Sequence, residues 1–165
     1  MYANILLSTD GSDVARKGLK HGFALAKALN VKVTVITVTE PLPINVTEPL
    51  SINVTEPLSM DFGSGHVGGW SAEEIDRFDT ACKERAGKVL DEAQAMAEHI
   101  GISAELLHVP NAHPASAMIE TAKSRGCDLI VMASHGRRGL RKLFLGSQTS
   151  EVLADASVPV LVVHA

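Results

Sequence analysis

The sequence predicts an α/β fold: one doubly wound, five-stranded parallel sheet with helices on both faces, Rossmann-like in architecture. Three observations carry that prediction. Five short apolar runs alternate strictly with helical patterns, and such alternation implies parallel strands joined by right-handed crossovers. Hydrophobic residues make up 45% of the chain and aromatics 4%, so the core has to be built from Val, Leu, Ile and Ala, which suits strands covered on both faces. Finally, the run Asp128–Met132 stops at the small-residue cluster Ala133–Ser134–His135–Gly136, and Gly146–Ser147 then opens a further helical stretch. A length of 165 residues fits a single domain, residues 1–165, with a core that needs neither disulfide nor metal.

The elements follow in order. Asn4–Ser8 is the first strand, and Thr9–Asp10–Gly11–Ser12 leads out of it. Ser12 is placed to N-cap a helix running to about Asn30, with Val14, Gly18, Gly22, Leu25 and Leu29 along one stripe. Lys32–Val38, rich in β-branched residues, is the second strand. A long amphipathic helix spans about Ala72 to Ile100; Ser71 and Glu74 form a capping box at its start, and Gly101 stops it. Ala104–Val109 is the third strand, and Pro114 opens a helix that ends near Gly126. Asp128–Met132 is the fourth strand, Ser147–Ala156 the last helix, and Val158–Val163 the fifth strand. That last strand has no helix after it in the sequence, so it reads as an apolar sheet edge of the kind that tends to be covered by pairing.

Residues 38–61 stand apart. They are a tandem octapeptide, Val38–Asn45, Val46–Asn53 and Val54–Asp61, each copy carrying Thr-Glu-Pro, which obstructs helix and central strand alike. Val38 ends the second strand, and the remainder reads as a lengthened surface loop over about 40–70, a change that adds little entropic penalty. Gly63–Ser64–Gly65–His66–Val67–Gly68 matches GxGxxG. No strand feeds those glycines, so they read as loop and not as a dinucleotide fingerprint. No GxxxxGK[ST] motif occurs.

Composition narrows the function classes. The formal net charge is −4, with no run of Lys or Arg longer than two, which argues against nucleic acid and anionic membrane as partners. No stretch approaches the length of an apolar membrane span, no basic segment precedes an apolar one at the N-terminus, and Cys82 and Cys127 form no CxxC. A cytoplasmic protein with reduced thiols is the expectation.

The chemistry concentrates where strands end. A strand end facing a glycine-led helix start offers outward N–H groups and the positive end of a helix dipole, a site for phosphate; a nucleotide is the ligand this suggests. Asp10 lies at the same carboxyl edge, where open α/β sheets bind ligands. It can form the turn with Gly11, accept hydrogen bonds from a ribose or base, or do both. Arg137, Arg138, Arg141 and Lys142 offer charge to a polyphosphate or form a solvated face, and Ser147 and Thr149 either cap the helix or also touch phosphate. Ser134 and His135 are adjacent at a strand end, where side chains diverge, and the GxSxG elbow is absent. The remaining histidines show no HExxH spacing and no cysteine at ligand distance. A metal held by protein alone is therefore unsupported, and a divalent ion is expected only with phosphates, keeping several waters.

Together these residues resemble the universal stress protein family, in its nucleotide-binding branch. That branch is marked by Gly, two residues, Gly, nine residues, then Gly-Ser or Gly-Thr; here the pattern runs Ala133, Ser134–His135, Gly136, Arg137 to Leu145, Gly146–Ser147. The likeness extends from Ile5–Ser12 through Asp128–Met132 to Val158–Val163. It implies an adenine nucleotide alpha hydrolase-like fold that binds ATP (or AMP) with Mg²⁺, dimerises through the fifth strand, and acts as a regulatory stress-response module with slow hydrolysis at most. The alternatives are a slow adenine-nucleotide hydrolase or a nucleotide-free interaction module. By resemblance, Ser8, Thr9 and Asp10 border ribose and adenine, Val38 contacts adenine, and Met132 and Ala133 line the ribose side. Gly136 admits the phosphates closely, His135 and Arg138 join the cofactor-binding set, and Gly146, Ser147, Gln148 and Thr149 wrap the β- and γ-phosphates. Gln148 stands where the family often has a small aliphatic residue, so its contact is expected through the backbone. A side chain at Gly146 is expected to collide with phosphate and leave the fold intact. Ala133 in place of glycine costs roughly 1 kcal/mol only if φ is positive there; an extended φ leaves the methyl harmless, and that is the reading adopted.

Overall fold

A computed structural model of the chain describes residues 2–42, 71–135 and 145–164. The octapeptide copies beyond Leu42, the glycine segment 63–69 and the loop 136–144, with Gly136 and Arg138, lie outside the described residues. The elements run β1 (Asn4–Ser8), α1 (Asp13–Leu29), β2 (Lys32–Val38), α2 (Ala72–Ile100), β3 (Glu105–Val109), α3 (Pro114–Ser124), β4 (Leu129–Ala133), α4 (Ser147–Asp155) and β5 (Val160–Val163). All strand pairs are parallel, in the order β3-β2-β1-β4-β5. The chain works outward from β1 to β3 and then returns to lay β4 on the other side of β1, which makes the doubly wound sheet. The order therefore reverses between β1 and β4, where Leu7 is level with Val131.

Local chemistry sets the boundaries. Ser12 caps α1 by accepting the Ala15 N–H at 3.2 Å. Both halves of the Ser71–Glu74 capping box are formed, at 2.7 and 3.2 Å. α2 ends at Gly101, whose φ of 82° glycine adopts without steric penalty. Lys27 of α1 reaches the Ile100 carbonyl at 2.5 Å, tying the two helix ends together.

Three strand boundaries differ from the sequence reading. β3 begins at Glu105 instead of Ala104. β4 is shifted by one residue to Leu129–Ala133; just before it, Asp128 gives its N–H to the Asn4 carbonyl at 2.9 Å while its carboxylate accepts the N–H groups of Ala3 and Asn4 at 2.7 and 3.1 Å. β5 begins at Val160, since Pro159 has no N–H to give the ladder. α4 is one residue shorter than expected, with Ala156 as its C-cap.

Alternate residues of each strand feed two apolar clusters. On one face Ile5, Leu7, Val33, Val35, Leu129 and Val131 pack against α1 and α2; on the other Leu6, Ile36, Ile130 and Met132 pack against α3 and α4. Cys127 is buried in the second cluster, where desolvation pushes its thiol above the usual range against the opposing pull of the Thr34 hydroxyl. The buried stripe of α1 is rotated from the expected one: it is Ala15, Gly18, Leu19, Gly22, Phe23 and Ala26, with Val14, Leu25 and Leu29 on its flanks.

The two glycines of that stripe have different constraints. A Cβ on Gly22 would stand 2.3, 3.0 and 3.2 Å from Leu7 Cδ2, Cδ1 and Cγ, so turning the isopropyl group clears one methyl only by keeping the other. A Cβ on Gly18 would meet Ala133 at 3.4 Å or more, an ordinary contact. Gly22→Ala is thus expected to destabilise by about 1–3 kcal/mol, whereas Gly18→Ala should stay within about 1 kcal/mol of wild type, helped by alanine's helix propensity. Urea denaturation of the two variants distinguishes them, and equal midpoints would contradict this packing.

Candidate functional site

β1, β2 and β4 all end at one edge of the sheet, and the residues that leave those ends build the site. Ser8 is the last residue of β1. The Thr9 N–H continues the ladder to the Ile36 carbonyl at 3.0 Å. The chain then folds tightly: Thr9 Oγ1 accepts the Gly11 N–H at 3.2 Å, Asp10 Oδ1 accepts the Ser12 N–H at 2.9 Å, and Gly11 takes φ 77°. Asp10 therefore does make the turn that its place beside Gly11 suggested, which fixes its carboxylate at the edge.

Val38 ends β2, half-buried on the α3 and α4 face. Beyond it Thr39 is held to the end of β3: its N–H donates to the Val109 carbonyl at 3.1 Å, and its hydroxyl is hydrogen-bonded to His108 Nε2 at 3.0 Å. Burial, and secondly Lys83, hold the His108 imidazole below its ordinary pKa.

The end of β4 carries most of the site. Met132, Ala133 and Ser134 are buried, and the Ser134 N–H donates to the Val163 carbonyl at 2.9 Å. Two hydrogen bonds draw the start of α4 onto this strand end. The Gly146 N–H donates to the Ser134 carbonyl at 2.9 Å, and Thr149 Oγ1 donates to the Ala133 carbonyl at 3.1 Å. Ala133 has no positive φ, as expected for its place in β4, and its methyl lies opposite Gly18 of α1.

Gly146 is the N-cap of α4, and no side chain bonds to that cap. The first intrahelical bond is Ser150 N–H to the Gly146 carbonyl at 2.9 Å. The amides of Ser147, Gln148 and Thr149 thus precede the ladder and face outward, with no acidic residue in the first turn. That arrangement suits an anion.

A Cβ on Gly146 would stand 3.3 Å from His135 Cα, a contact that asks the chain after β4 to give by a few tenths of an ångström. One site expectation is corrected. Ser134 and His135 do not diverge: Ser134 Oγ lies 3.1 Å from His135 Nδ1. Sequence reasoning also missed the side chain of Gln148. Its Oε1 accepts the Ala115 N–H at 2.9 Å, and its Nε2 lies 3.4 Å from His113 Nε2, while His113 Nδ1 lies 3.4 Å from Glu151 Oε1. His113 N-caps α3 without a side-chain cap of its own, a vacancy that Gln148 fills from the neighbouring helix; no spacing in the sequence signals this.

Of the predicted site residues, Ser8, Thr9, Asp10, Val38, Met132, Ala133, His135, Gly146, Ser147, Gln148 and Thr149 are described, all at or beside the C-terminal edge. Among the described residues, no group of three or more His, Cys, Asp or Glu is placed to hold a metal ion, and no helix is long and apolar enough to cross a membrane.

Comparison with known proteins agrees with this geometry. The model of the universal stress protein family matches residues 1–164. A universal stress protein of Thermus aquaticus is 32% identical, covering 99% of this chain and 100% of its own. Among solved structures, hypothetical protein MJ0577 of Methanocaldococcus jannaschii has a TM-score of 0.73 at 26% identity, covering 99% of this chain and 96% of that one. A universal stress protein in complex with cAMP has a TM-score of 0.67 at 21% identity, covering 99% and 97% of the two chains. One from Archaeoglobus fulgidus in complex with dAMP has a TM-score of 0.62 at 18% identity, covering 98% and 97%. At those identities the last two are likenesses of fold.

Thr149→Val keeps the side-chain shape but removes the donor to Ala133. It is expected to lower stability by about 1–2 kcal/mol, with Thr149→Ser recovering most of the loss in urea titrations. Wild-type stability in Thr149→Val would contradict the tie.

Proposed function

The chain belongs to the universal stress protein family, and from that premise we propose that it binds an adenine nucleotide at the edge between β1 and β4. The observation that carries this reading is the side-chain-uncapped first turn of α4, drawn by two hydrogen bonds onto the strand end at the point where the sheet order reverses. Ligands of open α/β sheets bind at such reversals. The cAMP and dAMP complexes of fold relatives supply the ligand class.

In this reading the amides of Ser147, Gln148 and Thr149 receive the phosphates. Asp10, with Ser8 and Thr9 beside it, meets the ribose and adenine; Val38 contacts the adenine; Met132 and Ala133 line the ribose side. His135, Gly136 and Arg138 complete the phosphate end. The physiological ligand is ATP, or AMP in its place, with Mg²⁺ held by phosphate oxygens and water. Positioning of phosphate alone supports at most slow hydrolysis, so the bound state serves regulation in the stress response. Free Cys82 and Cys127 and an intracellular ligand fit the cytoplasm.

The same reading pairs two copies through β5. β5 is an edge of the sheet, with Leu161 41% exposed and Val160 and Val162 half-buried. An edge of this kind is covered when a second copy adds its own.

Calorimetric titration of nucleotide-stripped protein with Mg·ATP, AMP and GTP tests the first proposal. Micromolar binding of an adenine nucleotide, with GTP weaker, is expected; no heat and no thermal stabilisation at millimolar nucleotide would overturn it. Sedimentation of Leu161→Asp tests the second. The wild-type chain should sediment as a dimer and the variant as a folded monomer, and a dimer of unchanged strength in the variant would rule out pairing through β5.

A further inference from the structure

We infer that Ser134 is a positioning residue: its hydroxyl fixes the tautomer of His135, so that the imidazole offers its Nε2 proton to the phosphates of the nucleotide. This rests on the proposed nucleotide site. A serine beside a histidine at a strand end has the make-up of a nucleophile and its base. Burial assigns the opposite relation, in which the serine serves the histidine. Ser134 is 3% exposed. Both of its backbone groups are committed, the N–H to the Val163 carbonyl and the carbonyl to the Gly146 N–H, each at 2.9 Å. Its hydroxyl is closed off from attack on any ligand.

The hydroxyl proton then needs an acceptor inside the protein. Ser134 Oγ lies 3.1 Å from His135 Nδ1, and among the described residues it has no other partner. A ring proton on Nδ1 would be donated to Oγ and would leave the buried hydroxyl proton without an acceptor, a costly arrangement. Ser134 is therefore the donor and Nδ1 presents its lone pair. The neutral ring carries its proton on Nε2. That nitrogen has no partner among the described residues.

Position gives this free donor its role. A Cβ on Gly146 would stand 3.3 Å from His135 Cα and 3.6 Å from His135 Cβ, so the imidazole leaves the chain beside the N-cap of α4. The outward amides of Ser147, Gln148 and Thr149 begin at that cap. The side chains of Gln148 and Thr149 are already engaged, with the Ala115 N–H and the Ala133 carbonyl. Nε2–H thus adds an uncharged donor to the amides. Its direction is held from the far side of the ring by Ser134, so less freedom is lost when a phosphate oxygen arrives.

The test measures AMP affinity and ring NMR in wild type, Ser134→Ala, His135→Phe and the double variant. It is run at about pH 8, where an ordinary imidazole is neutral. Alanine keeps both backbone bonds of Ser134 and removes only the hydroxyl. Affinity for AMP should fall several-fold in Ser134→Ala and at least as far in His135→Phe. The double variant should bind no more weakly than His135→Phe, because Ser134 acts through the ring. A further loss in the double variant, or wild-type affinity in Ser134→Ala, would overturn the inference. Nitrogen shifts of the unliganded His135 ring give a readout independent of nucleotide. A single tautomer protonated on Nε2 is expected in wild type, and a mixture of tautomers in Ser134→Ala. A proton on Nδ1 in wild type, or rings alike in the two proteins, would overturn the role of Ser134. Absence of AMP binding in wild type alongside the expected ring shifts would overturn the nucleotide reading and leave the Ser134–His135 arrangement standing.

Discussion

The rest of the site depends on two hydrogen bonds that join the first turn of α4 to the end of β4, Gly146 N–H to Ser134 and Thr149 Oγ1 to Ala133. They bring together two segments separated in sequence by residues 136–144, so that the helix start sits directly over the strand end. Without them the amides of Ser147, Gln148 and Thr149 would remain helix-terminal donors but would have no defined relation to Asp10 or Val38. The first bond also brings Gly146 close to the chain leaving β4, where a Cβ would stand 3.3 Å from His135 Cα.

That junction rests in turn on the layer beneath it. α1 approaches the sheet closely because Gly18 and Gly22 remove side chains from its buried face. Gly22 makes room for Leu7, while Gly18 lies opposite Ala133 with space that a methyl would fill at ordinary contact distance. Ala133 departs from the glycine of the family pattern, and the structure accommodates its methyl in an extended strand residue opposite a glycine. The position that looked like a weakness of the nucleotide motif is thus a packing contact between α1 and β4.

Much of this was legible in the sequence, because the signals were local. Strand and helix order, the Ser12 and Ser71 caps and the Gly101 stop follow from periodicity, capping chemistry and β-α alternation. What escaped depended on contacts across the fold. The buried face of α1 keeps Gly18 and Gly22 of the expected stripe, but Ala15, Leu19, Phe23 and Ala26 are buried beside them where Val14, Leu25 and Leu29 were expected. At the start of β4 the Asp128 carboxylate holds the N–H groups of Ala3 and Asn4, far away in sequence. Ser134 and His135 meet through a local side-chain bond that strand alternation argued against. Gln148 reaches a helix start 33 residues away, and no pattern within α4 encodes that partner.

The central claim is the location of the nucleotide site, and amide chemical-shift mapping with AMP tests it most directly. The account expects the largest shifts at the amides of Ser147, Gln148 and Thr149 and at Asp10 and Gly11, with smaller ones at Val38 and Ala133. Shifts concentrated at the opposite edge of the sheet, around Asn4, Lys32 and Ser103, would contradict it.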